Sequence, residues 1–123
     1  LGFRLYDFLR IVSRPELHTI ALGEASSMAL LVFLAGDRRL ISPSATLTLH
    51  HFTHHIEDSC YGEELEQMGR NLIIAEQQYA RIIARRSGGK ITQKRVLKMM
   101  GRETRVSAQE ALGLGLAHQI LKE

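Results

Sequence analysis

The chain has 123 residues, 45% of them hydrophobic, with a net charge of +3 made of both signs spread along it, which suits one domain with a single core. One cysteine, Cys60, excludes an internal disulfide and a structural zinc cluster, and fits a reducing compartment. The longest apolar run, Met28–Ala35, is too short for a bilayer, and no aromatic residues interleave with the basic runs Arg81–Arg86 and Lys94–Lys98, so these read as solvated helix faces with no role for membrane or nucleic acid.

Phe3, Leu5, Phe8, Leu9 and Val12 recur at helical spacing and predict a helix over 3–13, stopped by a Ser13-Arg14-Pro15 turn. The chain starts abruptly inside this helix with no signal peptide, which suggests a single domain over 1–123 whose first elements are missing. Leu17–Leu22 reads as a short strand ended by Gly23, and Ser27–Ala35 as a buried helix closed by Gly36-Asp37. Between them the turn Gly23-Glu24-Ala25-Ser26-Ser27-Met28 places a serine where an extended segment gives way to helix. Arg39–Ile41 and Ala45–His50 are extended runs around a Ser42-Pro43-Ser44 turn.

Over 62–86 a long helix is predicted, with Leu65, Met68, Leu72, Ala75, Tyr79 and Ile82 on one stripe. At about 1.5 Å per residue it would be nearly 40 Å long, more than a small domain needs, and such helices often project toward a partner. Ser87-Gly88-Gly89 ends it, and Thr92–Met100 forms another short helix. Ser107 reads as the N-cap of a helix running to about Leu114, with Gly115 as its stop. Ala117–Leu121 closes the chain as a strand, and strands alternating with helices give the α/β class.

Serine hydrolysis needs a hydroxyl, an imidazole to take its proton, and an acid that orients the imidazole. A serine at a strand–helix turn stands beside unpaired backbone N–H groups that can hold an oxyanion, although Ser26 or Ser27 can equally be an ordinary helix cap. His50 ends a strand, and Glu103 lies in a loop ahead of the Ser107 cap. Each has a plain alternative as a satisfied or solvated polar residue. His50, His51, His54 and His55 include pairs at the i, i+4 spacing of metal ligands, but no Glu completes a His-Glu-x-x-His pattern and Phe52-Thr53 suggests strand or loop. Cys60 has no activating partner and reads as incidental.

Four stretches carry a family resemblance: Tyr6-Asp7; Gly23–Met28 with Leu34-Ala35-Gly36; Arg39–Ala45 with Thr48-Leu49-His50; and Ser107–Ala111 with Gly115-Leu116-Ala117. In this order they resemble the proteolytic subunit of the Clp protease, a serine peptidase of the crotonase-like superfamily. The resemblance implies a crotonase-like βα-repeat fold of the α/β class with a protruding handle helix at 62–86. It implies that Ser27 is the nucleophile, His50 the general base and then acid, and Glu103 the third member, where the family most often has aspartate. The N–H of Met28 would be one oxyanion donor, and the glycine-rich segment supplying the second would precede Leu1. The matching register favours Ser27 over Ser26. Further implications are a homo-oligomer of stacked rings joined through helix 62–86, a polypeptide substrate, an AAA+ ATPase partner, a cytoplasmic location, and no metal or organic cofactor. Alternatives are a catalytically inactive ring subunit with an assembly role, a phage-type head maturation peptidase, and an acyl-CoA enzyme of the same superfamily.

Overall fold

Helical spacing in the first residues yields α1, Gly2–Asp7, which buries Tyr6 and then widens into a π-helical turn, Phe8–Val12, in place of the uninterrupted helix expected over 3–13. The structure, a computed structural model, describes residues 1–12 and 15–123. Ser13 and Arg14 of the expected turn lie outside the described residues.

Among the described residues, two three-stranded sheets follow from how the next segments pair. β1, His18–Ala21, runs parallel to β3, Arg38–Ile41, which in turn pairs parallel with β6, Gln119–Ile120. Gly23, at φ +70°, turns the chain out of this first sheet into β2, Glu24–Ser26. The Ser42–Ala45 turn does the same for β4, Thr46–Leu49. β2 and β4 therefore re-pair in parallel in a second sheet, which β5, Thr104–Ser107, completes antiparallel to β4. Neither β2 nor β5 is expected from the sequence, which reads the first as turn and the second as loop. Three residues are too few to show alternation, and β5 carries only one buried side chain, Val106. Both strands exist because β4 offers their backbone groups partners.

α2, Met28–Leu34, is the centre of the core, burying Leu30, Leu31, Phe33 and Leu34. Each such side chain contributes about 1.5–3 kcal/mol of burial. Around it lie Ile41, Leu47, Leu49, Val96, Met100, Val106 and Leu116, all fully buried. The end of α2 needs acceptor satisfaction, because its last carbonyls have no intrahelical donors. Side chains supply it: Thr19 Oγ1 donates to Phe33 O, Arg86 to the Leu34 and Gly36 carbonyls, Arg10 to Ala35 O, and Arg39 to Gly36 O. Cations also suit the negative end of the helix dipole. Arg86 therefore turns inward, which corrects the reading of Arg81–Arg86 as wholly solvated.

α3 spans Gly62–Arg86, and Glu64 reaches back to accept from the Tyr61 N–H at 2.8 Å, stabilising its start. Only its last turns are core: Tyr79, Ala80, Ile82 and Ile83 are buried, while Leu65, Ile73 and Ile74 stand exposed. The apolar stripe expected along the whole helix is thus used by the domain at one end only. α4, Gln93–Gly101, is capped by Thr92, and α5, Ala108–Gly113, by Ser107, whose hydroxyl accepts from the Glu110 N–H as expected. Among the described residues no helix is long and apolar enough to cross a membrane.

At the junction of β3 with β6 a titratable ring holds a backbone hydrogen bond. His118 Nδ1 accepts the Arg39 backbone N–H at 3.0 Å, so the bond needs a neutral ring. Burial first, then the charges of Arg39, Arg86 and Arg38, lower the His118 pKa below the ordinary imidazole value. A group whose folded pKa is depressed contributes stability that is complete above its unfolded pKa and is lost as pH falls through the folded value. The unfolding midpoint is expected to fall as pH drops from 7 toward 5, and to fall less steeply in His118→Asn, whose amide oxygen accepts without titrating. Equal slopes for the two proteins, followed by circular dichroism, would remove His118 from the account.

Candidate active site

The second sheet brings three separate parts of the chain to one end. Ser26 on β2 pairs with Thr48 on the parallel β4, so Ser27 and His50 leave the carboxyl ends of neighbouring strands. Leu49 pairs with Thr104 on the antiparallel β5, the last pair of that ladder, so His50 leaves β4 at the end where Glu103 enters β5. A glutamate placed by its sequence in an unpaired loop thus stands directly before a strand, at the same end of the sheet as the histidine.

Backbone strain marks the same end. Among the described residues, only two that are not glycine have positive φ: Ser27 at 53° and Glu103 at 49°. Ser27 combines that φ with a ψ of −126°, outside the regions an L-residue ordinarily occupies. Such a conformation costs on the order of 1–3 kcal/mol and persists only where the surroundings enforce it, which is common where a side chain must be aimed. Ser27 occupies the N-cap position of α2, yet its side chain makes no capping hydrogen bond. That separates it from the ordinary capping serine. Its carbonyl is held instead, accepting from the Leu30 N–H at 3.2 Å and the Tyr79 hydroxyl at 2.8 Å. Met28 opens α2, so its N–H belongs to the first turn and has no intrahelical acceptor.

His50 is half-buried, and its Nδ1 lies 2.7 Å from the His51 carbonyl oxygen. A carbonyl only accepts, so Nδ1 carries a proton, and of the two neutral tautomers this is the one that leaves the lone pair on Nε2, where a general base needs it. Among the described residues, no hydrogen bond joins His50 to Ser27 or to Glu103, whose side chain is exposed. Ser26 faces Thr48 within the ladder, while His51, His54 and His55 are exposed. Among the described residues, no three His, Cys, Asp or Glu side chains are placed to hold one metal ion. Cys60 is a half-buried free thiol.

α3 supports the site from below, which the sequence reading missed. Glu76 accepts from the Phe52 N–H at 2.8 Å and lies 3.1 Å from His51 Nδ1. The Phe52 ring meets Tyr79 edge-on, with centroids 5.1 Å apart. Tyr79 is fully buried, and burial raises its pKa above the usual phenol range, keeping its hydroxyl a donor. A tyrosine inside an apolar helical stripe was the available signal, because a buried hydroxyl needs a partner. Tyr79→Phe should lower stability by about 1–2 kcal/mol, since the Ser27 carbonyl loses a donor. Urea denaturation reads this directly, and a loss near zero would show that the contact does not hold the turn.

A family model described as Clp protease matches residues 1–123. The chain is 30% identical over 121 residues to the ATP-dependent Clp protease proteolytic subunit 1 of Tropheryma whipplei (strain Twist), covering 95% of this chain and 56% of that protein. It is 29% identical over 124 residues to the ATP-dependent Clp protease proteolytic subunit of Helianthus annuus, covering 99% of this chain and 61% of that one. It thus spans little more than half the length of these relatives. A ClpP1 variant from Listeria monocytogenes shares the fold, with a TM-score of 0.83 at 19% identity over 99% of this chain and 66% of that one.

Proposed function

The chain belongs to the Clp protease family, and from that membership we propose that it works as a serine endopeptidase on unfolded polypeptide. The observation that carries this reading is the convergence of residues 27, 50 and 103 at one end of the second sheet, two of them with strained backbone. Ser27 Oγ attacks the carbonyl carbon of the scissile peptide while His50 Nε2 takes its proton. The Met28 N–H receives the developing oxyanion, and Glu103 faces the imidazolium that forms. Collapse of the tetrahedral intermediate breaks the C–N bond, and His50 returns the proton to the departing amine. Water, deprotonated by His50, then hydrolyses the acyl-enzyme and restores Ser27.

Assembly is part of the proposal. The exposed Leu65, Ile73 and Ile74 on α3, and Phe8, Ile11 and Val12 after α1, are apolar surfaces that a stacked-ring homo-oligomer would cover. A cytoplasmic setting and an AAA+ ATPase feeding the chamber complete the reading. It is tested by treating the natural protein with a fluorophosphonate probe and mapping the adduct by peptide mass spectrometry. The adduct is expected on Ser27. An unlabelled protein, beside an active Clp-type control, would overturn the peptidase and favour an inactive ring subunit.

A further inference from the structure

We infer that Glu76 is a positioning residue for His50, acting through the peptide group between His51 and Phe52; the inference rests on the peptidase reading above. One planar amide carries both contacts. Its N–H, that of Phe52, donates to Glu76 Oε1 at 2.8 Å, and its carbonyl, that of His51, accepts from His50 Nδ1 at 2.7 Å. An acceptor on the N–H of an amide draws electron density toward its oxygen, so a carboxylate there makes the carbonyl a better acceptor. Glu76 therefore favours the His50 tautomer with the proton on Nδ1 and the lone pair on Nε2, without touching the ring.

The carboxylate is itself held. Its oxygens lie 3.1 and 3.2 Å from His51 Nδ1, and its side chain is only 15% exposed. Three residues along the same face of α3, Tyr79 meets the Phe52 ring and bonds the Ser27 carbonyl. A single turn of α3 thus sets the peptide behind the base and the turn that carries the nucleophile. Glu103 has a different task across the strand ladder, meeting positive charge once the proton has moved. Glu76 prepares the neutral ring before attack.

The test uses the natural protein with Glu76→Ala and Glu76→Gln, a fluorogenic peptide, and 15N spectra of ring-labelled histidine. Glu76→Ala is expected to lower kcat about tenfold to a hundredfold, the scale set by loss of orientation, with KM little changed. Glu76→Gln keeps an acceptor for the Phe52 N–H and should recover most of that loss. The His50 ring nitrogens should report one tautomer in the wild type and a mixture in Glu76→Ala. A loss of thermal stability alone, with kcat and the His50 spectrum unmoved, would overturn the inference. If the wild type neither cleaves peptide nor labels, the peptidase reading is what has failed. The His50 spectrum then still decides whether Glu76 orients the ring: a changed tautomer supports it, and an unchanged one overturns it.

Discussion

Ser27→Ala should abolish fluorophosphonate labelling and lower peptide hydrolysis by about 10⁴–10⁶, the range for removing a nucleophile that acts together with its base. The neighbouring Ser26→Ala should label like the wild type, because Ser26 sits within the β2–β4 ladder opposite Thr48. Both variants retain Cβ, so neither relieves the backbone, and their stabilities should match the parent. Ser27→Gly separates chemistry from strain. Glycine adopts the Ser27 dihedrals without steric cost, which returns part of the roughly 1–3 kcal/mol held there, less the extra freedom glycine has when unfolded. The glycine variant should be inactive yet about 1 kcal/mol more stable than Ser27→Ala, near the middle of what these opposing effects allow. A serine whose removal costs activity and whose glycine replacement adds stability has been held in place for chemistry. If Ser26→Ala is the silent enzyme and Ser27→Ala labels normally, the nucleophile has been misassigned.

Arg39→Met should cost about 3–5 kcal/mol, the largest loss expected from any single side chain outside the apolar core. Arg39 is only 3% exposed. Its guanidinium donates to four carbonyls: Leu116 at 2.7 Å, Gly36 at 3.1 Å, Arg86 at 2.9 Å and Gly115 at 3.0 Å. These come from the ends of α2 and α3 and from the turn after α5, three places where helix termini leave acceptors unpaired. Burial lowers the pKa of this group, so the charge is costly to hold; the carbonyls offset that cost by engaging its N–H donors. Methionine fills similar space but leaves the Leu116, Arg86 and Gly115 carbonyls without this donor, whereas Gly36 keeps Arg86. Arg39→Lys should recover less than half of the loss, because one ammonium cannot match a planar fork aimed at four acceptors. Urea midpoints with an unchanged m-value would measure the effect. A loss below about 1 kcal/mol would mean that water replaces the guanidinium without penalty, against the expected cost of orphaned buried acceptors.

Elements that declare themselves within their own residues were legible. The regular recurrence of Leu65, Met68, Leu72 and Ala75 placed α3 at its observed bounds, and Ser107 followed by Gln109-Glu110 marked the start of α5. The strand–turn–helix around Ser27 was visible for the same reason, as a short apolar run, a glycine and a helical run. Family resemblance then matched Ser27, His50 and Glu103 to roles that local patterning could only list as candidates.

What stayed hidden depends on partners distant in sequence. β2 and β5 have too few patterned residues to signal strands, and exist because β4 pairs with both. Whether Ser27 caps α2, whether Arg39 and Arg86 face water, and what holds His50 are settled by acceptors left over once other segments pack.

The amino-acid order by itself determined the α/β alternation, the long helix and the serine at its turn, because periodicity and capping act over a few residues. Only the tertiary structure decided that His50 and Glu103 flank the same end of the β4–β5 ladder and that Glu76 reaches the peptide behind His50. The physical reason is that a buried donor or acceptor must find some partner, and which one it finds is a property of the packed chain and not of its neighbours in sequence.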